Sequence, residues 1–145
     1  MQIKINSMDF NGSLVNGPGV RSLLFMQGCS RHCAECHNPS TWDMEQGVTY
    51  EIPQLVELMR EKCVNRKLTI TGGEPLEQPK ALEELLKELE GFDICLYTSY
   101  DLDEVPPSIL RYLHYIKIGR YIASQRTTTS PYIGSKNQQF INLRG

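Results

Sequence analysis

RSLLFMQGCSRHCAEC, residues 21–36, combines a short apolar run with three closely spaced cysteines. The first six residues predict a buried strand. The chain then passes through Gly28 into Cys29, Cys33 and Cys36. Open α/β sheets and barrels carry their chemistry at the carboxyl ends of parallel strands. The stretch therefore predicts an α/β fold and places three thiols at its functional edge.

The C-x3-C-x2-C spacing allows three thiolates to bind one metal centre from a single loop. A 4Fe–4S cluster held by protein alone usually takes four thiolates. With only three, one iron keeps an open position for a substrate or cofactor. From this stretch alone, a structural zinc with His32 or His37 as its fourth ligand remains an alternative.

The remaining cysteines and the composition exclude several classes of protein. Five cysteines are an odd and clustered set, which argues against a disulfide framework. Cys63 and Cys95 fall on apolar patterns, and we expect both in the core. The chain starts without an apolar secretory leader, so we expect a cytoplasmic protein. A net charge of −2 gives no case for nucleic-acid binding, and no apolar run has membrane-spanning length.

The order of elements predicts one domain covering residues 1–145, an open, partial (β/α) barrel with a parallel sheet. One side of this barrel is expected to stay open for a large substrate or a partner protein. Glycine-rich residues 11–19 and polar residues 120–135 are predicted loops. The predicted strands are 2–6, 21–26, 67–71, 93–98, 115–119 and 139–143, and the predicted helices are 49–63, 79–90 and 107–113.

A second candidate site follows the strand at 67–71, where the chain reads Gly72-Gly73-Glu74-Pro75. Two glycines let the backbone bend sharply and expose its polar groups to a ligand. The ammonium of an amino acid needs acceptors, which backbone carbonyls and the Glu74 carboxylate would provide. A plain turn is the alternative for this motif.

The cysteine loop followed by GGEP on a parallel α/β scaffold resembles the radical S-adenosylmethionine superfamily. The combination disfavours zinc. Three further stretches, NGPGVRSLLFMQGC, CHNPSTWD and GSKNQQFINL, resemble the activating proteins of anaerobic (class III) ribonucleotide reductases. These stretches lie at the start, middle and end, so the resemblance covers nearly the whole chain.

The resemblance implies a 4Fe–4S cluster and S-adenosylmethionine as cofactors. Cys29, Cys33 and Cys36 would ligate three irons, and the fourth iron would bind the methionyl amino and carboxylate groups. The residues implied in cofactor binding besides Cys36 are Gly72, Gly73 and Glu74 at the ammonium, Pro75 shaping their turn, Glu35 and His37 near the adenine, and Thr98, Ser99 and Lys117 near the ribose and carboxylate.

The implied activity is the generation of a glycyl radical on the large subunit of the reductase. A reduced flavodoxin or ferredoxin would supply one electron, and cleavage of the cofactor would give a 5′-deoxyadenosyl radical. That radical would take hydrogen from a glycine Cα, and no side chain is predicted to act as catalytic acid or base. A small-molecule radical enzyme of the deazaguanine-synthase type and a non-enzymatic iron–sulfur or zinc module are the alternatives.

Overall fold

The computed structural model describes residues 1–28, 47–130 and 132–144. These ranges form a seven-stranded sheet in the order β3-β1-β2-β4-β5-β6-β7. The strands are β1 (Gln2–Ser13), β2 (Arg21–Met26), β3 (Val48–Glu51), β4 (Lys67–Gly72), β5 (Asp93–Tyr97), β6 (Tyr115–Ile118) and β7 (Gln139–Asn142). The helices are α1 (Ile52–Lys62), α2 (Pro79–Glu88) and α3 (Pro107–Leu110), with 3-10 turns at Pro75–Glu77, Leu102–Glu104 and Ala123–Gln125.

The four central strands, β2, β4, β5 and β6, are parallel to one another. Their carboxyl ends therefore lie along one edge of the sheet, which confirms the predicted α/β class, whereas the predicted parallel sheet is parallel only at its centre. The outer pairings are antiparallel: β1 pairs with β2 and β3, and β7 pairs with β6. The sequence did not predict these antiparallel edges.

The largest difference from the prediction concerns residues 48–51, where a helix was expected from residue 49. These residues form β3, which pairs with the start of β1 from Gln2↔Glu51 to Ile5↔Val48. Only then does α1 begin at Ile52, with Pro53 in its first turn, where a missing N–H is tolerated. Pairing with a distant strand thus overrides the local helix preference. Similarly, β1 continues past the predicted end of the strand to Ser13, because Ser13 pairs with Arg21 of β2.

The hydrophobic core lies between the helices and one face of the sheet. The predicted apolar stripe of α2 is buried, and so are the inward residues of α1. Cys63 is also fully buried at the end of α1, as predicted. The principal contributors are Ile52, Leu55, Met59, Leu68, Ile70, Leu82, Leu85, Ile94, Leu96 and Ile116.

On the opposite face, Arg21 is completely buried and holds the amino-terminal ends of the strands together. Its guanidinium donates to the Thr69 hydroxyl at 2.9 Å and to the carbonyls of Pro18 and Leu68 at 2.9 and 3.0 Å. It also donates to the Asp93 carbonyl at 2.7 Å and pairs with the Asp93 carboxylate at 3.0 Å. These partners offset the desolvation of a buried charge.

The glycine-rich loop between β1 and β2 is held closely against this face. The Thr69 hydroxyl donates to the Asn16 carbonyl at 2.6 Å. Gly17 has a φ of +106°, and a Cβ there would lie 3.0 Å from the Arg21 side chain and 3.3 Å from the Cys95 sulfur. Only glycine fits this close approach. Cys95 is buried as predicted, and its burial raises the pKa of the thiol to about 12.

None of the helices in the described ranges has the length and apolar character needed to cross a lipid bilayer.

Candidate cofactor site

The GGEP turn lies at the carboxyl end of β4, where the last strand residue, Gly72, pairs with Met26 of β2. Gly72 has a φ of +113°, and a Cβ on it would collide with the Met26 backbone. A side chain is therefore excluded by both conformation and space. The backbones of β2 and β4 are therefore in direct contact at Met26 and Gly72.

Two further hydrogen bonds join this turn to the end of β2. The Gly73 amide donates to the Met26 carbonyl at 3.0 Å, and the Glu74 amide donates to the Gly28 carbonyl at 2.8 Å. Gly28 is the residue directly before Cys29 in the chain. The turn therefore lies against the point at which the chain enters the cysteine stretch.

The predicted cluster ligands themselves, Cys29, Cys33 and Cys36, lie outside the described residues, as do Glu35 and His37. Their assignments as metal ligands and adenine neighbours stay predictions.

The Glu74 carboxylate is fully buried and accepts four hydrogen bonds from protein donors. One oxygen, Oε1, accepts from the Ser99 amide at 2.6 Å and the Ser99 hydroxyl at 2.7 Å. The other, Oε2, accepts from the Thr98 hydroxyl at 2.7 Å and the Leu76 amide at 2.9 Å. A carboxylate offers about four acceptor positions, so these donors use its full capacity.

This arrangement changes what the turn offers to a ligand. The carboxylate faces protein donors, so acceptors for an ammonium must come from the backbone carbonyls of the turn. Burial raises the pKa of the Glu74 carboxyl, and the hydrogen bonds from Ser99, Leu76 and Thr98 act in the opposite direction. Sequence reasoning missed the contacts because they join residues 24 and 25 positions apart in the chain.

Pro75 is buried and begins the 3-10 turn that follows Glu74. Glu74 caps this turn through the Leu76 amide, as acidic residues often do at the start of a helix. The role predicted for Pro75 in cofactor binding stays a prediction.

Thr98 and Ser99 follow β5 and lie at the same sheet edge as the GGEP turn. Both were predicted near the ribose and carboxylate, and in the structure both hydroxyls donate to Glu74. The Thr98 amide also donates to the Lys117 carbonyl of β6 at 2.9 Å. These bonds connect the ends of β4, β5 and β6 into one rigid edge.

A cavity of about 540 Å³ lies beside this edge; we call it the Tyr97 cavity. Lys117 lines it, and its Nζ lies 4.1 Å from the centroid of the Tyr97 ring. Tyr97 is 8% exposed, and its hydroxyl has no hydrogen-bond partner among the described residues. The lining comes from three segments: Leu14, Val15 and Asn16; Tyr97 and Lys117; and Thr128, Thr129, Ser130, Tyr132, Ile133 and Gly134.

Sequence reasoning did not single out Tyr97. The available signal was its place on β5. Successive side chains of a strand point to opposite faces of the sheet, so Tyr97 and Leu96 lie on different faces, and Tyr97 pairs with Lys117 of β6.

The late motif Gly134–Gln138 forms a turn against the end of β6. Gln138 is buried, and its side-chain oxygen accepts from the amides of Gly134 at 2.8 Å and Ser135 at 3.2 Å. Its amide nitrogen donates to the Gly119 carbonyl at 2.9 Å. These contacts give Gln138 a structural role in closing the loop that carries one wall of the Tyr97 cavity.

Known proteins resemble this chain along most of its length. A family profile described as a 4Fe-4S single cluster domain matches residues 15–141. The anaerobic ribonucleoside-triphosphate reductase-activating protein of Escherichia coli K12 is 30% identical over 145 residues, covering 90% of this chain and 94% of its own. The pyruvate formate-lyase-activating enzyme of Clostridium pasteurianum is 40% identical over 89 residues, covering 58% of this chain and 37% of its own.

Among solved structures, QueE from Escherichia coli superposes with a TM-score of 0.58 at 22% identity. The match covers 80% of this chain and 69% of QueE, and at this identity it concerns the fold alone.

The cluster-domain match and the predicted cysteine and GGEP motifs define an iron–sulfur enzyme of the radical S-adenosylmethionine class. More narrowly, the chain belongs to the family of anaerobic ribonucleoside-triphosphate reductase-activating proteins.

Proposed function

We propose that this protein generates a glycyl radical on an anaerobic ribonucleotide reductase, with a 4Fe–4S cluster and S-adenosylmethionine as cofactors. The supporting observation is the similarity to a reductase-activating protein along 90% of the chain. The likeness to QueE gives no independent reason to prefer a small-molecule substrate.

The described residues fit these cofactors. The GGEP turn is bonded to Gly28, so a cluster on the three following cysteines would form next to the turn. Three thiolates leave one iron without a protein ligand, as an amino-acid-like cofactor requires. The proposed cluster ligands are Cys29, Cys33 and Cys36.

The chain's own contribution is to position the cofactor. We assign the ammonium to the backbone carbonyls of Gly72 and Gly73, and the fixing of their turn to the Glu74 side chain and Pro75. Glu35 and His37 are proposed near the adenine, and Thr98, Ser99 and Lys117 near the ribose and carboxylate. When bound, the cofactors supply one-electron cleavage of the sulfonium to methionine and a 5′-deoxyadenosyl radical, which takes a hydrogen atom from the target glycine.

The finer points of the proposal concern architecture and partners. The sheet and helices are proposed to form one domain, an open partial barrel whose uncovered side admits the large subunit of the reductase. A flavodoxin or ferredoxin is the proposed electron donor, and the cytoplasm is the proposed location.

Anaerobic reconstitution followed by electron paramagnetic resonance tests the proposal. Protein loaded with iron and sulfide, mixed with reductant, S-adenosylmethionine and the reductase, should produce a glycyl radical signal. Replacing Cys29, Cys33 or Cys36 by Ala should remove the signal because each loss deprives one iron of its thiolate.

Cys63→Ala and Cys95→Ala are the matched controls, since both thiols are buried and lie outside residues 29–36 of the sequence, so we expect both variants to keep the cluster. A fully loaded wild-type protein that gives no signal on the reductase would contradict the proposed function.

A further inference from the structure

We propose that Arg120, Arg126 and Lys136, which we call the basic patch, form the docking surface for the electron donor, an acidic one-electron carrier protein. The inference rests on the proposed function and adds where the donor binds. In the step that this surface serves, the reduced carrier loses one electron and the iron–sulfur centre gains it. No covalent bond forms or breaks in this transfer.

Charge is divided unevenly along the chain. All 17 acidic residues fall within residues 1–104, whereas residues 105–145 hold six of the 15 Lys and Arg residues and no acidic residue. The side chains of the second part therefore carry a formal charge of +6, against −8 for the first part. An acidic partner is attracted to the second part and repelled by the first.

The fold brings three of these cations together at the sheet edge that carries the GGEP turn. Arg120 comes just after the carboxyl end of β6, and its carbonyl accepts from the Asn137 side chain at 2.8 Å. The Lys136 amide donates at 2.8 Å to the carbonyl of Gln125, the residue before Arg126. Residues that are 10 to 16 positions apart in the chain thus present their charges from one loop region.

The side chains of the basic patch are exposed. In the part of the chain that the structure describes, those of Arg126 and Lys136 have no carboxylate or hydrogen-bond partner. Their positive charge is therefore not neutralised within the described residues and acts on an approaching partner.

The loop that presents the basic patch has a fixed conformation. Gln138 is buried, and its side chain bonds the amides of Gly134 and Ser135 and the carbonyl of Gly119. A surface that is already ordered pays little conformational entropy when a partner binds. This suits a partner that must bind and leave once for each electron.

The composition of this surface favours a transient partner. Among the exposed large apolar side chains of the described ranges, Ile122, at 37% exposure, is the one that lies beyond residue 104. Stable interfaces have an apolar core, whereas electron-transfer complexes are small and are guided by charge. A surface rich in cations and poor in apolar area therefore matches an electron carrier better than a permanently bound subunit.

The location also suits electron transfer to the predicted metal site. The cysteine stretch begins after Gly28, beyond the end of β2, and β2 is three strands from β6 in the sheet. Neighbouring strands are about 4.8 Å apart, so the ends of β2 and β6 are separated by roughly 15 Å. A carrier on the basic patch would lie at the same edge of the sheet as the start of the cysteine stretch.

A neighbouring turn carries the opposite charge. The Gly119 amide donates to the Tyr100 carbonyl at 3.1 Å, and exposed Asp101, Asp103 and Glu104 follow Tyr100 in the chain. An acidic carrier is repelled by these carboxylates and attracted by the basic patch. The two charges together fix the orientation in which it docks.

The double variant Arg126→Gln/Lys136→Gln tests the inference. Reduction of the iron–sulfur centre by a flavodoxin of net negative charge is followed by stopped-flow absorbance. We expect the second-order rate constant to fall roughly three- to tenfold at about 0.05 M salt, and the difference from wild type to shrink as added salt screens the charges. The Kd of oxidised flavodoxin, measured by calorimetry without S-adenosylmethionine, should rise by a similar factor.

Lys80→Gln/Lys87→Gln is the matched control, because it removes two exposed cations from α2. We expect this control to keep the rate constant within about twofold of wild type. Arg126→Lys keeps the charge and should behave as wild type. Reduction by dithionite, which needs no protein docking, and the melting temperature should be unchanged in every variant, since the side chains of Arg126 and Lys136 have no described partner.

Four results would overturn the inference while leaving the proposed function intact. The first is an unchanged rate constant and Kd for flavodoxin at low salt. The second is an equal fall in the Lys80→Gln/Lys87→Gln control, which would assign the effect to net charge. The third is slower reduction by dithionite, which would place the effect at the metal centre. The fourth is weaker binding of the reductase with unchanged reduction by flavodoxin, which would assign the patch to the reductase.

The proposed function fails by a different result. A wild-type protein that flavodoxin reduces, but that forms no glycyl radical on the reductase, would contradict the proposed function and leave the docking surface in place.

Discussion

At the scale of single residues, the Glu74 side chain links the ends of β4 and β5 through hydrogen bonds. Its carboxylate is bonded to Thr98, Ser99 and Leu76, so the side chain fixes the GGEP turn against the end of β5. The backbone carbonyls of the turn then keep a fixed geometry toward a ligand. Positioning by such a buried, fully bonded carboxylate is the role that the distances support.

Removing the hydroxyl of either Thr98 or Ser99 should weaken this link. Thr98→Val and Ser99→Ala each delete one donor to a buried carboxylate, and we expect each to lower the free energy of unfolding by about 1–3 kcal/mol. Chemical denaturation of the cluster-loaded protein under argon measures the change. Ser124→Ala, at an exposed position, is the control, and equal stability of all variants would contradict the assigned role.

The raised pKa of Glu74 also predicts a pH dependence of stability. The native state holds this proton to a higher pH than the unfolded chain, whose carboxyl has a pKa near 4.5. The contribution of Glu74 to stability is therefore greatest below that value and falls as pH rises through the raised pKa. Glu74→Gln does not titrate.

We measure the free energy of unfolding of wild type and of Glu74→Gln from pH 4.5 upward. The value for wild type minus the value for Glu74→Gln should decrease as the pH rises and then become constant. A difference that is constant across this range, or that shifts in favour of wild type, would show that the pKa is not raised.

At the scale of elements, the contact between the ends of β2 and β4 depends on the absence of a side chain at Gly72. Gly72→Ala should destabilise the protein by at least about 2 kcal/mol, since it combines an unfavourable φ with overlap on Met26. Gly91→Ala is the matched control. Gly91 also has a positive φ, of +91°, but in the described part of the chain nothing beyond its own neighbours lies within 4 Å of the place that a Cβ would take. Thermal unfolding of the two variants separates the steric effect from the conformational one.

Arg21 holds the glycine-rich loop to β4 and β5. Arg21→Lys keeps the charge but loses the forked geometry, so several buried carbonyls lose their donor. We expect destabilisation by about 3–5 kcal/mol and faster proteolysis within residues 14–19. Limited digestion with peptide mapping measures the second effect, and a loop as resistant as in wild type would contradict this role of Arg21.

At the scale of the whole molecule, the buried apolar residues of the described ranges pack into one hydrophobic core. Removal of iron by a chelator should therefore leave the far-ultraviolet circular dichroism spectrum and cooperative unfolding largely intact. Loss of both on chelation would show that the cluster is needed for the fold as well as for the chemistry.

The sequence predicted the elements whose signals are local. The apolar stripes of α1 and α2 and the strand at 21–26 follow from side-chain periodicity, and the structure confirms them. The GGEP turn was also located correctly at a strand end. All of these features depend on residues close together in the chain.

The features that sequence reasoning missed depend on distant pairings. β3 forms only because residues 48–51 meet the start of β1, and Glu74 meets Thr98 and Ser99 only because β4 and β5 are neighbours. The unpaired hydroxyl of Tyr97 likewise follows from what surrounds it in three dimensions. No local pattern carries that information.

The amides of Gly73 and Glu74 are bonded to carbonyls on either side of Gln27, and this limits where the chain tolerates changes in length. An insertion between Met26 and Gly28, or between Gly72 and Glu74, would shift one segment relative to the other, so the two bonds could not form together. A Cβ added at Gly91, in contrast, would have no described atom beyond its own neighbours within 4 Å. Length variation among functional variants of this chain should therefore be confined to turns remote from the sheet edge that carries the GGEP turn.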